Sequence, residues 1–178
     1  MLELPKNWWE RDCGQIACEL YEASNGHVAF STSYLRATLA FRENPKCPDV
    51  EQISPLDDYA WTVGRVAYVF VPTLDDQAIE DCITLANSHT YIVYIAAPGQ
   101  SQTLQSGLIV ALKRRYPSVI SFGEFISAHF TMAVHESADR SYMNHFGRLL
   151  NYYNYLVRKE FDGASLIVDP DKLYWADY

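Results

Sequence analysis

Residues 64–122 constrain this chain more than any other stretch. GRVAYVFVP (64–72) and YIVYIAA (91–97) are apolar runs rich in Val, Ile and Tyr, each long enough for one strand. Between them, residues 75–88 open with Asp75-Asp76, acids at the positive end of a helix, and carry Ile79, Cys82, Ile83 and Leu85 as its apolar positions. Leu104–Tyr116 reads as a second helix closing on Lys113-Arg114-Arg115, cations at the negative end, and Ser118–Phe122 as a third strand. The order β-α-β-α-β at 64–122 predicts a local parallel sheet, because parallel neighbours need a crossover and a helix supplies it.

The flanks are read around that centre. Residues 7–22 predict a helix with Asn7 as its cap, ended by the turn Ser24-Asn25-Gly26. His27–Thr32 reads as a short strand and Tyr34–Glu43 as a helix, with Thr32 or Ser33 placed to cap it. Residues 44–59 form a polar loop marked by prolines, and Glu124 onward is open between strand and helix. Tyr142–Lys159 predicts a helix, Asp162-Gly163 a turn, Ala164–Val168 a last strand, and Asp169-Pro170-Asp171 another turn. The expected architecture is α/β or α+β, one compact domain over 1–178 with a central β-sheet and flanking helices.

Composition narrows the partners. With 22 acidic against 14 basic residues the net charge is −8, which argues against nucleic acid as a ligand gripped through its phosphates. MLELPKNWWERD has no signal-like apolar run and no stretch is long enough to cross a bilayer, so the expectation is a soluble, cytoplasmic protein with no membrane partner. The four cysteines form no CxxC and the five histidines no HExxH, so no metal site is expected. GxSxG, the Walker loop and GxGxxG are all absent. The pairs Asp57-Asp58 and Asp75-Asp76 read as solvated loop and helix residues.

Three constellations remain. Pro98–Thr103 joins a strand to a helix start and offers backbone N–H groups with the hydroxyls of Ser101 and Thr103, a layout suited to an anion in a Rossmann-like nucleotide-binding domain. Tyr152, Tyr153, Tyr155, Tyr174, Trp175 and Tyr178, with Trp8 and Trp9 near the other terminus, could make a protein interface, since such rings combine large buried area with a polar tip. The third is Ser31-Thr32-Ser33, three hydroxyls at the end of a predicted strand.

The order of helix, turn, His27–Phe30, Ser31-Thr32-Ser33, helix and Gly64-Arg65 strand, with the closing FDGASLIVDPDKLYWADY, resembles ADP-ribosyltransferase-like domains over residues 18–73 and 156–178. The rifamycin-modifying and RES-type toxin branches are the nearest. The resemblance implies NAD as cofactor, Ser31 and Ser33 at the reacting centre, Arg11, His27, Thr32 and Tyr34 around the dinucleotide, and a carboxylate to stabilise the oxocarbenium-like charge. Glu124, Glu160 and Asp162 are the acids that could serve. Glu22 stands where the family's first motif has a histidine, and the [Glu/Gln]-x-Glu signature is absent. That departure puts first an acidic, aromatic-rich accessory or inhibitor protein that binds another protein, with the NAD-dependent transferase and the nucleotide-binding domain as alternatives.

Overall fold

A computed structural model describes residues 1–113, 116–139 and 141–169. Among them are six α-helices: α1 Cys13–Ala23, α2 Val28–Glu43, α3 Asp76–Ser88, α4 Ser101–Leu112, α5 Phe122–Glu136 and α6 Tyr142–Glu160. The strands are β1 Ser54–Asp57, β2 Ala60–Val63, β3 Val66–Val71, β4 Tyr91–Ala96 and β5 Val119–Ser121. The protein is therefore α/β, with a single mixed sheet of order β1-β2-β3-β4-β5. The chain divides into two compact units, Met1–Gln52 with Ile126–Tyr178, and Ile53–Phe125. No helix among the described residues is long and apolar enough to cross a membrane.

The unit Ile53–Phe125 contains the whole sheet. β3 and β4 pair in parallel from Val66↔Tyr91 to Val71↔Ala96, and β4 and β5 from Tyr94↔Val119 to Ala96↔Ser121. The β-α-β-α-β reading of 64–122 thus holds. One face of the sheet carries Ala67, Val69, Val71, Ile92, Tyr94 and Ala96, which bury against Cys82 and Leu85 of α3 and Leu104 and Leu108 of α4. Both crossovers run the same way along the sheet, so right-handed connections put both helices on that face. On the other face Tyr68 meets Phe125 edge-on at 5.6 Å and Phe70 meets Phe122 at 6.2 Å. Gly107 of α4 passes so close to the segment after β3 that a Cβ there would lie 2.1 Å from Leu74 Cδ2.

The expected loop at 44–59 is partly structured. It holds a 3₁₀ turn at Val50–Gln52 and then β1, which pairs antiparallel with β2. β2 in turn pairs antiparallel with β3, closing a two-residue turn at Gly64-Arg65 with Gly64 at φ +60°. Pro55 and the paired aspartates masked this hairpin, because neither is favoured in strands. The second helix also starts earlier than expected. Ser101 and Thr103 lie inside α4, which stops at Leu112 with Lys113 left-handed, while Arg114 and Arg115 lie outside the described residues.

In the other unit, the expected strand at His27–Thr32 is helix. α2 begins at Val28 and runs unbroken through the hydroxyl triplet to Glu43. Thr32 Oγ1 donates to the Val28 carbonyl at 3.0 Å, and Ser31 Oγ is 3.4 Å from that of His27. Such back-bonding lets hydroxyls sit within a helix. Neither Thr32 nor Ser33 caps it; His27 does, its Nδ1 accepting from Ala29 N–H at 3.2 Å. Asn7 likewise is not a cap for the first helix. It is left-handed ahead of a 3₁₀ turn at Trp8–Glu10, and α1 is capped by Asp12, which accepts from Gly14 and Gln15 N–H at 2.9 and 3.2 Å.

α2 and α6 pack together through an aromatic core. Tyr34 and Tyr153 lie 5.3 Å apart, Phe30 is 5.5 Å from each, and Phe41 stacks on Phe130 at 5.8 Å. The region left open after Glu124 is helix α5. The expected strand Ala164–Val168 is a 3₁₀ turn at Ala164–Leu166 and a single parallel bridge between Leu2 and Val168. Buried side chains of α6 hold that segment: Tyr153 donates to Leu166 O at 2.7 Å, and Asn154 makes two 2.9 Å bonds with the backbone of Val168.

Candidate functional site

The transferase resemblance points to residues of α2, α5 and the end of α6, and to Arg11, His27 and Asp162 beside helices. Ser31, Thr32, Ser33 and Tyr34 are all buried in α2. No carboxylate bonds to any of the three hydroxyls among the described residues, and Ser33 Oγ is buried with no hydrogen-bond partner there. Burial holds the Tyr34 phenol well above its ordinary range. Arg11 pairs with Glu19, and His27 is occupied as a cap. Of the candidate acids, Glu160 forms a two-bond ion pair with Arg36 at 2.5 and 2.9 Å, and Asp162 is exposed beyond α6. Glu124 belongs to the sheet-bearing unit, where Ser121 Oγ donates to it at 2.7 Å and lowers its pKa.

The aromatic set is split by burial. Trp8 and Tyr153 are core residues, Trp8 lying 5.5 Å from Phe146. Tyr152 is half-buried and accepts from Val50 N–H at 2.9 Å. Trp9 and Tyr155 are about half exposed, at 50% and 52%, and Tyr155 stacks on Tyr152 at 5.9 Å with Lys159 Nζ above its ring. Tyr174, Trp175 and Tyr178 lie outside the described residues. At Pro98–Thr103, only Pro98, Gly99 and Gln100 precede α4, and Gln100 makes no side-chain cap bond. The sheet also runs β3-β4-β5 without a reversal of order, the feature that opens a nucleotide crevice in doubly wound folds.

A concave, charged feature of the sheet-bearing unit lies elsewhere, at the C-terminal end of β3. A cavity of about 290 Å³ opens there, between the β1–β2 turn and the start of α3. The antiparallel register creates it. Ala60 pairs with Val69, and Phe70 N–H donates to Tyr59 O at 2.8 Å, which brings Asp57-Asp58-Tyr59 alongside Pro72-Thr73. Pro72 and Ala78 are its partly exposed apolar lining, with the buried Val69, Phe70 and Val71 behind them; Asp57, Tyr59, Asp75, Gln77 and Asp81 are its exposed polar lining. Asp58, Asp76 and Glu80 are exposed neighbours of lining residues in the chain.

Each lining carboxylate has a local structural role as well. Asp57 Oδ1 accepts from Tyr59 N–H at 2.7 Å, Asp75 Oδ1 caps α3 through Ala78 N–H at 2.8 Å, and Asp81 Oδ1 accepts from Gln77 Nε2 at 2.9 Å. The helix N-terminus stabilises Asp75 and Asp76 as anions. Among the described residues none of these six acids makes an ion pair. The described cations of this unit lie at the opposite end of the strands, Arg65 within the β2–β3 turn and Lys113 just after α4.

Cys82 completes the wall. Burial, reinforced by the charges of Asp81 and Asp57, pushes its thiol up to about 11, so at neutral pH it is a neutral group and not a thiolate nucleophile. No group of three or more His, Cys, Asp or Glu side chains able to hold a metal ion occurs among the described residues. A second hollow, of about 370 Å³ at the other end of the strands, is lined by Tyr91, Tyr116 and neighbours and carries no charged side chain. What the acid-rimmed cavity can do chemically is hold a cation beside an apolar surface. The sequence reading missed it because the acids come from two segments some twenty residues apart; a β-hairpin read at 54–63 would have joined them.

Fold and cavity together define an α/β protein with an anionic concave surface. Compared with family models, with curated proteins and with solved structures, the chain matches none.

Proposed function

We propose that this is a protein-binding accessory or inhibitor protein whose partner presents a basic surface to the acid-rimmed end of the sheet. One observation carries the reading: three exposed carboxylates without an ion pair, Asp57, Asp75 and Asp81, line one cavity, with Asp58, Asp76 and Glu80 exposed beside them in the chain. Unpaired like charges held together repel one another and destabilise the compact state. A cationic partner relieves that repulsion and gains steered association. The net charge of −8 acts in the same direction at long range.

The test has two stages. Proteins captured on the immobilised chain are identified and the binary complex is rebuilt from pure components. Its affinity is then measured at low and high salt, and with Asp58→Lys and Glu80→Lys together. These positions are exposed and outside the cavity lining, so the variant should fold normally. Affinity is expected to fall by about tenfold or more with the double reversal, and to fall with added salt. A tight complex indifferent to both changes sinks the proposal.

A further inference from the structure

We propose that the seat between α6 and Leu2 takes its extended segment, residues 166–169, from the chain itself or from a second copy, and that reciprocal exchange of this segment makes a two-fold dimer. The exchange is independent of the basic-partner reading, which concerns the sheet-bearing unit.

The seat is observed with its occupant in place. Five hydrogen bonds hold residues 166–169, and every one is made to their backbone. The Tyr153 hydroxyl donates to Leu166 O at 2.7 Å, and Asn154 grips both the N–H and the C=O of Val168 at 2.9 Å. Leu2 adds a parallel bridge, through Ile167 O at 2.7 Å and Asp169 N–H at 2.9 Å. Leu166 and Val168, 6% and 0% exposed, are apolar anchors at alternate positions, with Ile167 half-buried between them. Main-chain bonds with alternate side chains buried are the terms on which one chain binds an extended segment of another. A second copy's residues 166–169 fit by identity, because the seat is already shaped to them. Vacated, it would leave the buried Asn154 amide and Tyr153 hydroxyl unpaired, which favours refilling it.

The connection decides between the two sources. α6 ends at Glu160, and residues 161–165 turn the chain back until Leu166 reaches Tyr153. Phe161 N–H closes the helix on Val157 O at 2.9 Å, and Leu166 N–H bonds locally to Gly163 O. Otherwise residues 161–165 are exposed or half-exposed and make no hydrogen bond or ion pair among the described residues. Opened straight, five residues span about 16 Å, enough to pass the segment to a neighbouring copy. The exchanged dimer keeps all five bonds and both anchors, and only the hinge differs. A short connection holds its own segment at an effective concentration on the order of millimolar, so exchange competes as the protein approaches that level. Each copy gives one segment and receives one, so the assembly closes at two.

Full-length ¹³C,¹⁵N-labelled and unlabelled chains are mixed at about 1 mM, the level at which exchange should compete, and warmed briefly below the unfolding midpoint. The dimer fraction is then isolated. Isotope-filtered NOEs are expected between Leu2 of one copy and Val168 of the other. No dimer, or a dimer whose Leu2–Val168 NOEs are all intramolecular, overturns the exchange. Deleting Asp162 and Gly163 shortens the hinge so that the chain cannot turn back to its own seat. Light scattering should then report twice the monomer mass even at micromolar concentration, and Asn154→Ala in the same background should restore the monomer. A hinge-shortened monomer, or a dimer that survives Asn154→Ala, overturns the exchange. If the deletion prevents folding, Asp162→Ala with Gly163→Ala is the second variant, since alanines favour running α6 straight on. Its dimer fraction at about 1 mM should rise several-fold over wild type, and an unchanged fraction overturns the exchange.

Discussion

Replacing Asn154 by alanine should undock the segment that follows α6. Asn154 is 2% exposed, donates from Nδ2 to Val168 O at 2.9 Å and accepts from Val168 N–H at Oδ1, also at 2.9 Å. Val168 is itself fully buried, so alanine leaves one backbone donor and one backbone acceptor without partners. Each such orphan costs about 1–3 kcal/mol, so a loss of about 2–6 kcal/mol is expected in urea unfolding. The chain can lower that cost only by releasing the segment to water. Release also breaks the bonds of Leu2 N–H to Ile167 O, at 2.7 Å, and of Asp169 N–H to Leu2 O, at 2.9 Å. Hydrogen exchange should therefore accelerate at Leu2, Val168 and Asp169 together. Tyr153→Phe is the milder comparison: it removes one hydroxyl donor to Leu166 O and should cost about 1 kcal/mol. Asn154→Asp keeps the acceptor for Val168 N–H but turns a carboxylate oxygen toward a carbonyl, so it should be worst at neutral pH and partly recover in acid. An Asn154→Ala protein within about 0.5 kcal/mol of wild type, the range of ordinary surface changes, with unchanged exchange at Val168, would refute this reasoning.

Two further outcomes are expected. Burial, with the charge of Arg42 added, holds the His129 imidazole down at about 4 against an ordinary 6.5. Between those values the unfolded chain binds a proton that the folded chain does not. Stability from this group is therefore complete above 6.5 and lost as pH falls toward 4, on the order of 2–3 kcal/mol in all. His129→Gln should flatten that part of the urea-midpoint profile between pH 7 and 4, and an identical profile in the variant removes His129 as its source. Saturating NAD should leave the melting temperature unchanged, because Ser31 and Thr32 are committed to α2 carbonyls; a rise would reveal a dinucleotide pocket and restore the transferase reading.

Local pattern was sufficient where one segment's residues answer to one environment. Val66–Val71 and Tyr91–Ala96 are apolar on both faces, and α6 has a long amphipathic repeat, so their types and approximate bounds could be read directly. It was insufficient at Val28–Ser33. There a short apolar run followed by hydroxyls fits a strand and a cap as well as it fits a buried helix, and only burial beside Tyr153 and back-bonding to the preceding carbonyls favour helix. The hairpin β1–β2 was hidden in the same way, since a proline and two aspartates are poor strand formers in isolation.

The chain's order of elements thus specified the parallel core, the need for helical crossovers, and the excess of negative charge, because propensity, hydrophobic spacing and net charge are properties of neighbours along the chain. Strand register decided the rest. It brought Asp57 of one segment to the lining of one cavity with Asp75 and Asp81 of another. It is also what makes these acids a shared field around one cavity; in the linear sequence they read only as two separate solvated pairs. Proximity of charges across a sheet depends on pairing at a distance, and no local pattern contains it.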